Sequence, residues 1–332
     1  MSEIDSFRAE ARQWLEANCP SSMREPIRTD EDMVWGGSRV SFNSDDQRVW
    51  FERMRDRGWF VPGWPTAYGG GGLGPREQQA LGEEMRSLGC RQPQYNLGIW
   101  MLGPVLLEFG TGEQKQEHLV PMARGEVRWC QGFSEPNAGS DLASLKTAAV
   151  REGDDFIVTG QKIWTSQGDK ADWMYALVRT DPHAKKQQGI SFILIDMKTP
   201  GVSVRPIELI SGRSEFCQVF FDAVRVPARQ VIGGINQGWG VAKKLLEHER
   251  AAMAKFTEGG APTLDALAIA EEINAQGDEA LFGEEQAGGA TAGVEVAHGL
   301  RIVGVGHAVV VTRILADEVR ATDEAELGIG GK

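Results

Sequence analysis

The spacing of apolar residues changes twice along the chain, and this change constrains the fold more than any other sequence feature. Near the N-terminus they recur at helical spacing, as Phe7, Ala11 and Leu15 do. From Trp129 onward they come in short β-branched and aromatic runs separated by turns. The helical spacing returns after Gly240. The chain is therefore predicted to be helical, then β, then helical again.

The helical parts and the strands can be placed approximately. Helices are predicted at residues 45–57, 75–89, 97–109 and 113–123, after a first helix that ends before Pro20. Strand-like runs occupy residues 156–158, 173–179, 190–197, 202–207 and 219–226. Turn signals about ten to fifteen residues apart, with no long helices between the runs, favour an antiparallel sandwich or barrel over βαβ units.

We therefore predict an α+β fold with three domains. These are a helical domain over residues 1–125, a β domain over 126–233 and a helical region over 234–332. The end of the chain differs in composition, since residues 277–332 hold 11 glycines among 56 residues. Two interpretations of this segment are open: a pair of helices with glycine spacers, or a poorly ordered tail.

Charge excludes several classes of partner. The 332 residues contain 47 acidic and 35 basic side chains, which gives a formal net charge of −12. This balance argues against nucleic-acid binding, which requires a basic surface, and against attachment to anionic lipids. No run of about 18 apolar residues is present, so no membrane span is expected, and the first helix lacks the apolar core of a signal peptide.

The cysteines and histidines do not form the patterns of metal sites. Cys19, Cys90, Cys130 and Cys217 lie far apart, without a C-x-x-C motif. We expect neither a disulfide framework nor a zinc site, and a reduced, cytoplasmic setting fits better. The five histidines are never paired at metal-ligand spacing. No metal is therefore expected.

One glycine-rich stretch satisfies a cofactor motif only formally. Residues 69–74 match G-x-G-x-x-G, but they follow a loop and lie between predicted helices. A dinucleotide-binding motif must instead connect a buried strand to a helix within a βαβ unit. We interpret this stretch as a loop. The G-x-S-x-G elbow and the P-loop do not occur.

Two segments carry residues suited to cofactor chemistry. Residues 129–142 join an apolar strand to a turn rich in small and hydroxyl residues, whose free backbone N–H groups suit an anionic or polar cofactor. In residues 159–168, Trp164 precedes two hydroxyl residues. Such a segment suits a planar cofactor, because the tryptophan ring can lie against it while hydroxyl or N–H donors reach its edge. Taken singly, each segment also fits an ordinary structural role: a loop after a strand, and a hairpin strand with a core tryptophan.

Taken together, these segments resemble the acyl-CoA dehydrogenase family. The resemblance rests on F-S-E-P-N-A-G-S-D-L-A-S-L-K-T, and on G-Q-K-I-W-T-S-Q-G-D-K-A-D-W about 25 residues later. The blocks F-F-D-A-V-R-V-P and G-W-G-V-A follow in the family's order and spacing. The resemblance extends from about residue 5 to about residue 255.

The resemblance implies a fold and a reaction. The fold would be a helical domain, a central antiparallel β-barrel and a C-terminal helical bundle, with FAD between barrel and bundle. The reaction would be α,β-dehydrogenation of an acyl-CoA, with electron-transfer flavoprotein as acceptor, in a homo-oligomer or a hetero-oligomer with a related subunit. By resemblance, the FAD-binding residues are Gln131, Phe133, Ser134, Gly139, Ser140, Trp164, Thr165 and Ser166. Ser140, Glu247 and Arg250 match positions that contact the CoA moiety.

The catalytic base is predicted less directly. Removing a weakly acidic α proton calls for a carboxylate shielded from water, with a raised pKa. In the family this glutamate lies late in the bundle or on its first helix, just before an arginine, and Glu249 before Arg250 matches the second position. Glu247 would lie on roughly the opposite helix face, so only one of the two can face the flavin. The alternative is that Glu249 is a structural acid paired with a neighbouring base.

The C-terminal part departs from the family. From about Gly259 the family pattern cannot be matched, so the bundle is expected to be partial or atypical. Two alternatives to an active dehydrogenase therefore stay open: a non-catalytic subunit of a hetero-oligomeric dehydrogenase, or a flavin monooxygenase on the same fold. The acyl group itself cannot be identified from the sequence.

Overall fold

The computed structural model describes residues 2–258, and side chains as far as Arg250. The predictions for the glycine-rich segment and for most of the C-terminal bundle lie outside these described residues. The division into domains at residues 125 and 233 stays a prediction. Among the described helices, none is long and apolar enough to cross a membrane.

Helices make up the first part of the chain, as the apolar spacing predicts. The helices are α1 (Glu3–Asn18), α2 (Asp45–Asp56), α3 (Pro75–Ser87), α4 (Gly103–Phe109) and α5 (Gly112–Ala123), and a π-helical turn (Gly98–Leu102) leads into α4. Local chemistry sets several of their ends. Ser2 caps α1 by accepting from the Asp5 backbone N–H, and Pro75 occupies the first turn of α3, where no N–H is needed.

The β region forms one sheet of eight strands. These are β1 (Trp129–Gly132), β2 (Ala148–Glu152), β3 (Asp155–Ser166), β4 (Trp173–Arg179), β5 (Ile190–Asp196), β6 (Val202–Ile207), β7 (Phe216–Pro227) and β8 (Val231–Ile232). All five predicted runs lie within these strands or extend at most one residue beyond them. The helix predicted after Gly240 is α6 (Gly238–Glu258).

The predicted closed barrel is wrong. The strand order is β6-β7-β3-β2-β4-β5-β8, with β1 on β4, so the sheet is open. Its two end strands have six and two residues and cannot pair along their length. The antiparallel prediction is also only partly right, because β1 and β2 each run parallel to β4 along the same edge. A long connection between strands permits this direction, and alternation of side chains does not reveal it.

Apolar side chains on the two faces of the sheet enter different cores. On β4, Tyr175 and Leu177 belong to a first apolar cluster, which includes residues of α4, α5 and α6. Met174 and Ala176 belong to a second apolar cluster on the opposite face of the sheet. A third cluster joins α1, α2 and α3. The sheet is therefore covered by helices on the face to which Tyr175 belongs, and this face positions the site.

Candidate active site

Helix α6 buries Glu249 because of its position in the helical repeat. Val241, Ala242, Leu245 and Leu246 are buried against the sheet and α4. Glu249 lies one turn after Leu245 and therefore on the same face. Its side chain is only 6% exposed.

The start of α6 lies very close to the sheet. A Cβ on Gly238 would collide with the backbone of Ser191 and Phe192, so only glycine permits this approach. The close approach therefore fixes the start of α6 against β5.

The carboxyl group of Glu249 has an unusual environment. Burial raises its pKa to about 7, and the charge of Arg250 opposes this shift only in part. Its Oε2 atom is buried and has no hydrogen-bond partner among the described residues. Buried polar atoms are nearly always hydrogen-bonded, and an exception calls for an explanation such as a catalytic role.

Tyr175 is the neighbour that links Glu249 to the sheet. Burial raises the pKa of its hydroxyl, and the negative charge of Glu249 raises it further. The hydroxyl lies 3.2 Å from Met101 Sδ and 3.5 Å from Gln131 Oε1. Tyr175 therefore contacts the predicted cofactor residue Gln131 and is close enough to Glu249 to be affected by its charge. The sequence did not single out Tyr175.

The backbone around Trp164 is held in an unfavourable conformation. Trp164 lies in a bulge of β3, where the register against β7 shifts between Lys162 and Thr165. Its φ is +59°, a left-handed value that costs a non-glycine residue about 1 kcal/mol or more. The ring is 47% exposed and meets Phe216 edge to face. The neighbouring Thr165 hydroxyl is buried and has no hydrogen-bond partner within residues 2–258.

A buried ion pair holds the turn after β1. Lys162 has no exposed side-chain surface, and its Nζ lies 2.8 Å from Glu135 Oε1 and 3.1 Å from the Phe133 carbonyl oxygen. Glu135 also accepts from the backbone N–H groups of Lys146 and Thr147. Burial by itself would raise the pKa of Glu135, but Lys162 and these donors hold it below its usual value.

Sequence reasoning missed this pair, although a sequence signal existed. In β3 the buried positions Phe156 and Val158 alternate with less buried ones, and the same period places Lys162 on the inner side. A lysine at an inward position is rarely fully buried unless it has an acidic partner.

The two predicted cofactor segments lie side by side. The Ser134 carbonyl oxygen accepts from the Ile163 backbone N–H at 2.9 Å, directly before Trp164. Phe133 is buried, and Ser134 and Ser166 are half-buried. Gly139 and Ser140 are exposed, and a Cβ on Gly139 would meet no atom within 4 Å. The turn therefore presents open backbone next to the tryptophan.

Two of the predicted substrate residues lie away from the buried carboxylate. Glu247 and Arg250 are exposed on α6, as the helical period predicts. Glu247 pairs with Lys244 at 2.9 Å, one turn earlier. The structure therefore buries Glu249 but leaves Glu247 and Arg250 on the outer surface of the helix. Among the described residues, no group of three His, Cys, Asp or Glu residues is placed to hold a metal.

Comparison with known proteins gives consistent matches. Residues 2–126 match the family described as acyl-CoA dehydrogenase, N-terminal domain, and residues 130–224 match acyl-CoA dehydrogenase, middle domain. Acyl-CoA dehydrogenase FadE34 of Mycobacterium tuberculosis is 45% identical over 216 residues, which are 65% of this chain and 30% of that protein. The chain thus spans less than a third of FadE34.

Solved structures agree with these matches. A structure described as a Tcur3481-Tcur3483 steroid ACAD variant has a TM-score of 0.62 and 34% identity, covering 82% of this chain and 69% of that one. The ChsE4-ChsE5 complex from Mycobacterium tuberculosis has a TM-score of 0.56 and 32% identity, covering 75% of this chain and 60% of that one.

Proposed function

This chain belongs to the acyl-CoA dehydrogenase family, and on that premise we propose that it oxidises the Cα–Cβ bond of an acyl-CoA thioester, with FAD as cofactor and Glu249 as base. The observation that carries the proposal is the buried carboxyl group of Glu249, with one oxygen unpartnered and its pKa raised to about 7. A base is most effective when its pKa lies near the working pH.

The surroundings of Glu249 favour proton removal from carbon. When α6 packs, the Glu249 carboxylate loses its contact with water. A poorly solvated carboxylate is a stronger base. The charge of Glu249 acts on the Tyr175 hydroxyl, which lies 3.2 Å from Met101 Sδ within the apolar cluster that α6 joins. Glu249 thus accepts the α proton and becomes neutral, which relieves the cost of its buried charge.

The residues of the two sheet segments fit a flavin. In the part of the chain that the structure describes, the buried Thr165 hydroxyl has no partner, Trp164 presents half of its ring, and Gly139 borders open space. We propose that these residues hold FAD together with Gln131, Phe133, Ser134, Ser140 and Ser166. When bound, FAD supplies the acceptor for the hydride that leaves the β carbon.

The substrate and partners follow from the relatives. We propose a bulky, steroid-derived acyl group, because a solved relative is described as a steroid ACAD. The CoA moiety is proposed to lie near Ser140, with Glu247 and Arg250 at its outer end. Electron-transfer flavoprotein is the proposed electron acceptor. A cytoplasmic location is proposed on the same ground as before, namely the unpaired cysteines.

A second candidate is a subunit that acts only with a related partner. Both solved relatives bear the names of two proteins, and one is described as a complex. The chain also spans only part of its relatives. In such an assembly this chain would supply the sheet and the start of α6, and the partner would complete the cofactor site.

Absorbance spectroscopy tests both candidates. The protein is purified alone and after co-expression with a related subunit, and its spectrum is recorded from 300 to 550 nm. Flavin bands that bleach anaerobically with a steroid-derived acyl-CoA, and less with short straight-chain acyl-CoAs, support the first candidate. Flavin bands only after co-expression support the second. A colourless protein in both preparations would contradict the FAD assignment.

A further inference from the structure

The side chain of Lys162 makes a second contact besides its ion pair with Glu135. Its Nζ lies 3.1 Å from the Phe133 carbonyl oxygen, and this contact is buried. The next carbonyl oxygen along the chain, that of Ser134, accepts from the Ile163 backbone N–H at 2.9 Å. Two consecutive carbonyl groups after β1 are therefore held by two consecutive residues of β3.

The bond from Lys162 fixes the direction of the peptide group between Phe133 and Ser134. No cis peptide bond occurs within residues 2–258, and in a trans peptide the C=O and N–H groups point in opposite directions. Because the carbonyl group points to Lys162, the Ser134 N–H points away from this buried side chain. In the described part of the chain, no backbone carbonyl accepts from the Ser134 N–H.

Glu135 limits how far this arrangement can shift. Its carboxylate accepts from Lys162, and from the backbone N–H groups of Lys146 and Thr147 at 2.7 and 2.9 Å. Its backbone closes the turn with Ala138 through two reciprocal hydrogen bonds, at 2.9 and 3.0 Å. The same residue therefore anchors both the lysine and the turn.

The free N–H lies beside an exposed aromatic ring. Ile163, which holds the Ser134 carbonyl group, directly precedes Trp164, and the Trp164 ring is 47% exposed. Ser134 itself is half-buried. A fixed N–H donor next to an exposed ring fits a planar ligand with acceptor atoms at its edge.

We propose that Lys162, together with Glu135, is a positioning residue for the cofactor, which holds the Phe133–Ser134 peptide so that the Ser134 N–H donates to the polar edge of the flavin. This inference rests on the proposed function, because it requires FAD in the site. A donor that is fixed in advance costs no reorganisation, and it stabilises negative charge that develops on an acceptor atom. Lys162 does not contact the flavin in this assignment and acts through one peptide group.

A double variant separates positioning from stability. Lys162→Met/Glu135→Leu removes both buried charges, so neither is left unpaired, but the Phe133 carbonyl group loses its donor. We expect the FAD dissociation constant, measured from flavin fluorescence, to rise about tenfold, which corresponds to one hydrogen bond. The reduction potential of the bound flavin should fall, because a donor to the negatively charged reduced form is lost. The parent preparation that carries FAD, alone or with a related subunit, is the reference.

Two further variants show whether the pair is merely structural. Leu15→Ala is the control, because Leu15 is fully buried in the third cluster and its truncation destabilises the helical part of the chain. It should leave the FAD dissociation constant and the reduction potential unchanged. The double variant should be more stable than Lys162→Met but should bind FAD no better.

The outcomes distinguish this inference from the proposed function. Parent-like FAD affinity and reduction potential in the double variant would overturn the positioning role of Lys162 and leave the proposed function intact. A parent protein that binds no FAD, alone or with a related subunit, would refute the proposed function and this inference with it.

Amide hydrogen exchange of the unmodified protein gives a test that needs no variant. Exchange is resolved to single residues by fragmentation in the mass spectrometer, with FAD bound and after its removal. The Ser134 N–H should exchange at least tenfold more slowly with FAD bound. The Thr147 N–H, which donates to Glu135 in the protein itself, is the internal reference and should change less. Equal exchange at Ser134 in both states would overturn the proposal.

Discussion

Lys162 Nζ and Glu135 Oε1 lie 2.8 Å apart, and Lys162 has no solvent exposure at all. The pair connects β3 to the turn after β1, and it lies directly between the two segments that we propose to hold FAD. Removing one partner of such a pair leaves an uncompensated charge inside the protein. Two predictions depend on it.

Replacing Lys162 with methionine should destabilise the protein by about 3–5 kcal/mol, because the Glu135 carboxylate stays buried without its partner. The free energy of unfolding, measured by urea denaturation, checks this. The double variant Lys162→Met/Glu135→Leu should recover part of the loss. Lys186→Met, which removes an exposed pairing with Asp141, is the matched control and should have a much smaller effect. An equal loss in this control would contradict the argument.

The same pair predicts opposite pH dependences for the parent protein and the variant. In the parent the folded-state pKa of Glu135 is lowered, so its contribution to stability is present above its ordinary value of 4.5 and is lost as pH falls through the lowered pKa. In Lys162→Met, burial without a cation should raise the Glu135 pKa instead. The variant should therefore lose stability as pH rises from about 5 to 8. Parallel curves for the two proteins would count against the pairing.

Replacing Glu249 with glutamine should abolish most of the dehydrogenase activity, because it preserves shape and removes the base. Loss of a general base costs roughly 100- to 10,000-fold in rate. In the parent protein kcat/KM should rise with pH around an apparent pKa of about 7, and the variant should lack this inflection. Glu247→Gln, two residues away on the exposed face, is the control and should keep the inflection. A fully active Glu249→Gln protein would instead support the structural-acid or partner-subunit alternative.

Glu249 should also make stability depend on pH without any substrate. Its folded-state pKa is raised from 4.5 to about 7, so the folded protein binds the extra proton and is favoured below pH 4.5. This stability is lost as pH rises through 7, by about 3 kcal/mol at most. Glu249→Gln should show a flatter curve of unfolding free energy between pH 4.5 and 8. Identical slopes would mean that the carboxyl group is solvated in solution.

Trp164 offers a way to separate ring contacts from backbone strain. Trp164→Ala removes the ring and keeps the left-handed strain, whereas Trp164→Gly removes both. Both variants should lose FAD affinity by about tenfold if the ring lies against the flavin. The glycine variant should be the more stable of the two, by up to about 1 kcal/mol. Far-UV circular dichroism should show the helices intact, and unchanged FAD affinity in both variants would exclude Trp164 from the cofactor site.

Local periodicity was enough to predict most of the secondary structure. β4 occupies residues 173–179, as predicted, because a short apolar run bounded by turns is typical of a strand that is buried on both faces. Helix α3 begins at Pro75 because proline fits a first turn and little else in a helix. Closure of the sheet was predicted wrongly, since pairing between strands distant in sequence leaves no local pattern.

The residues of the candidate site could also be predicted only in part. The resemblance predicted Trp164, Gln131 and Glu249 as site residues, but it could not predict the burial or the neighbours of each. Tyr175 was missed because a tyrosine within an apolar strand resembles any core residue, and only the packing of α6 brings the charge of Glu249 close to it. Lys162 was missed because its partner, Glu135, is separated from it by a turn and a whole strand.

The sequence by itself determined the order of helices and strands, the family and the face of α6 on which Glu249 lies, because a 3.6-residue or two-residue period is a property of neighbours along the chain. Only the tertiary structure decided that the sheet is open and that Glu135 meets Lys162. The raised pKa of Glu249 also depends on the tertiary structure, because the loss of water around a carboxylate depends on what packs against it.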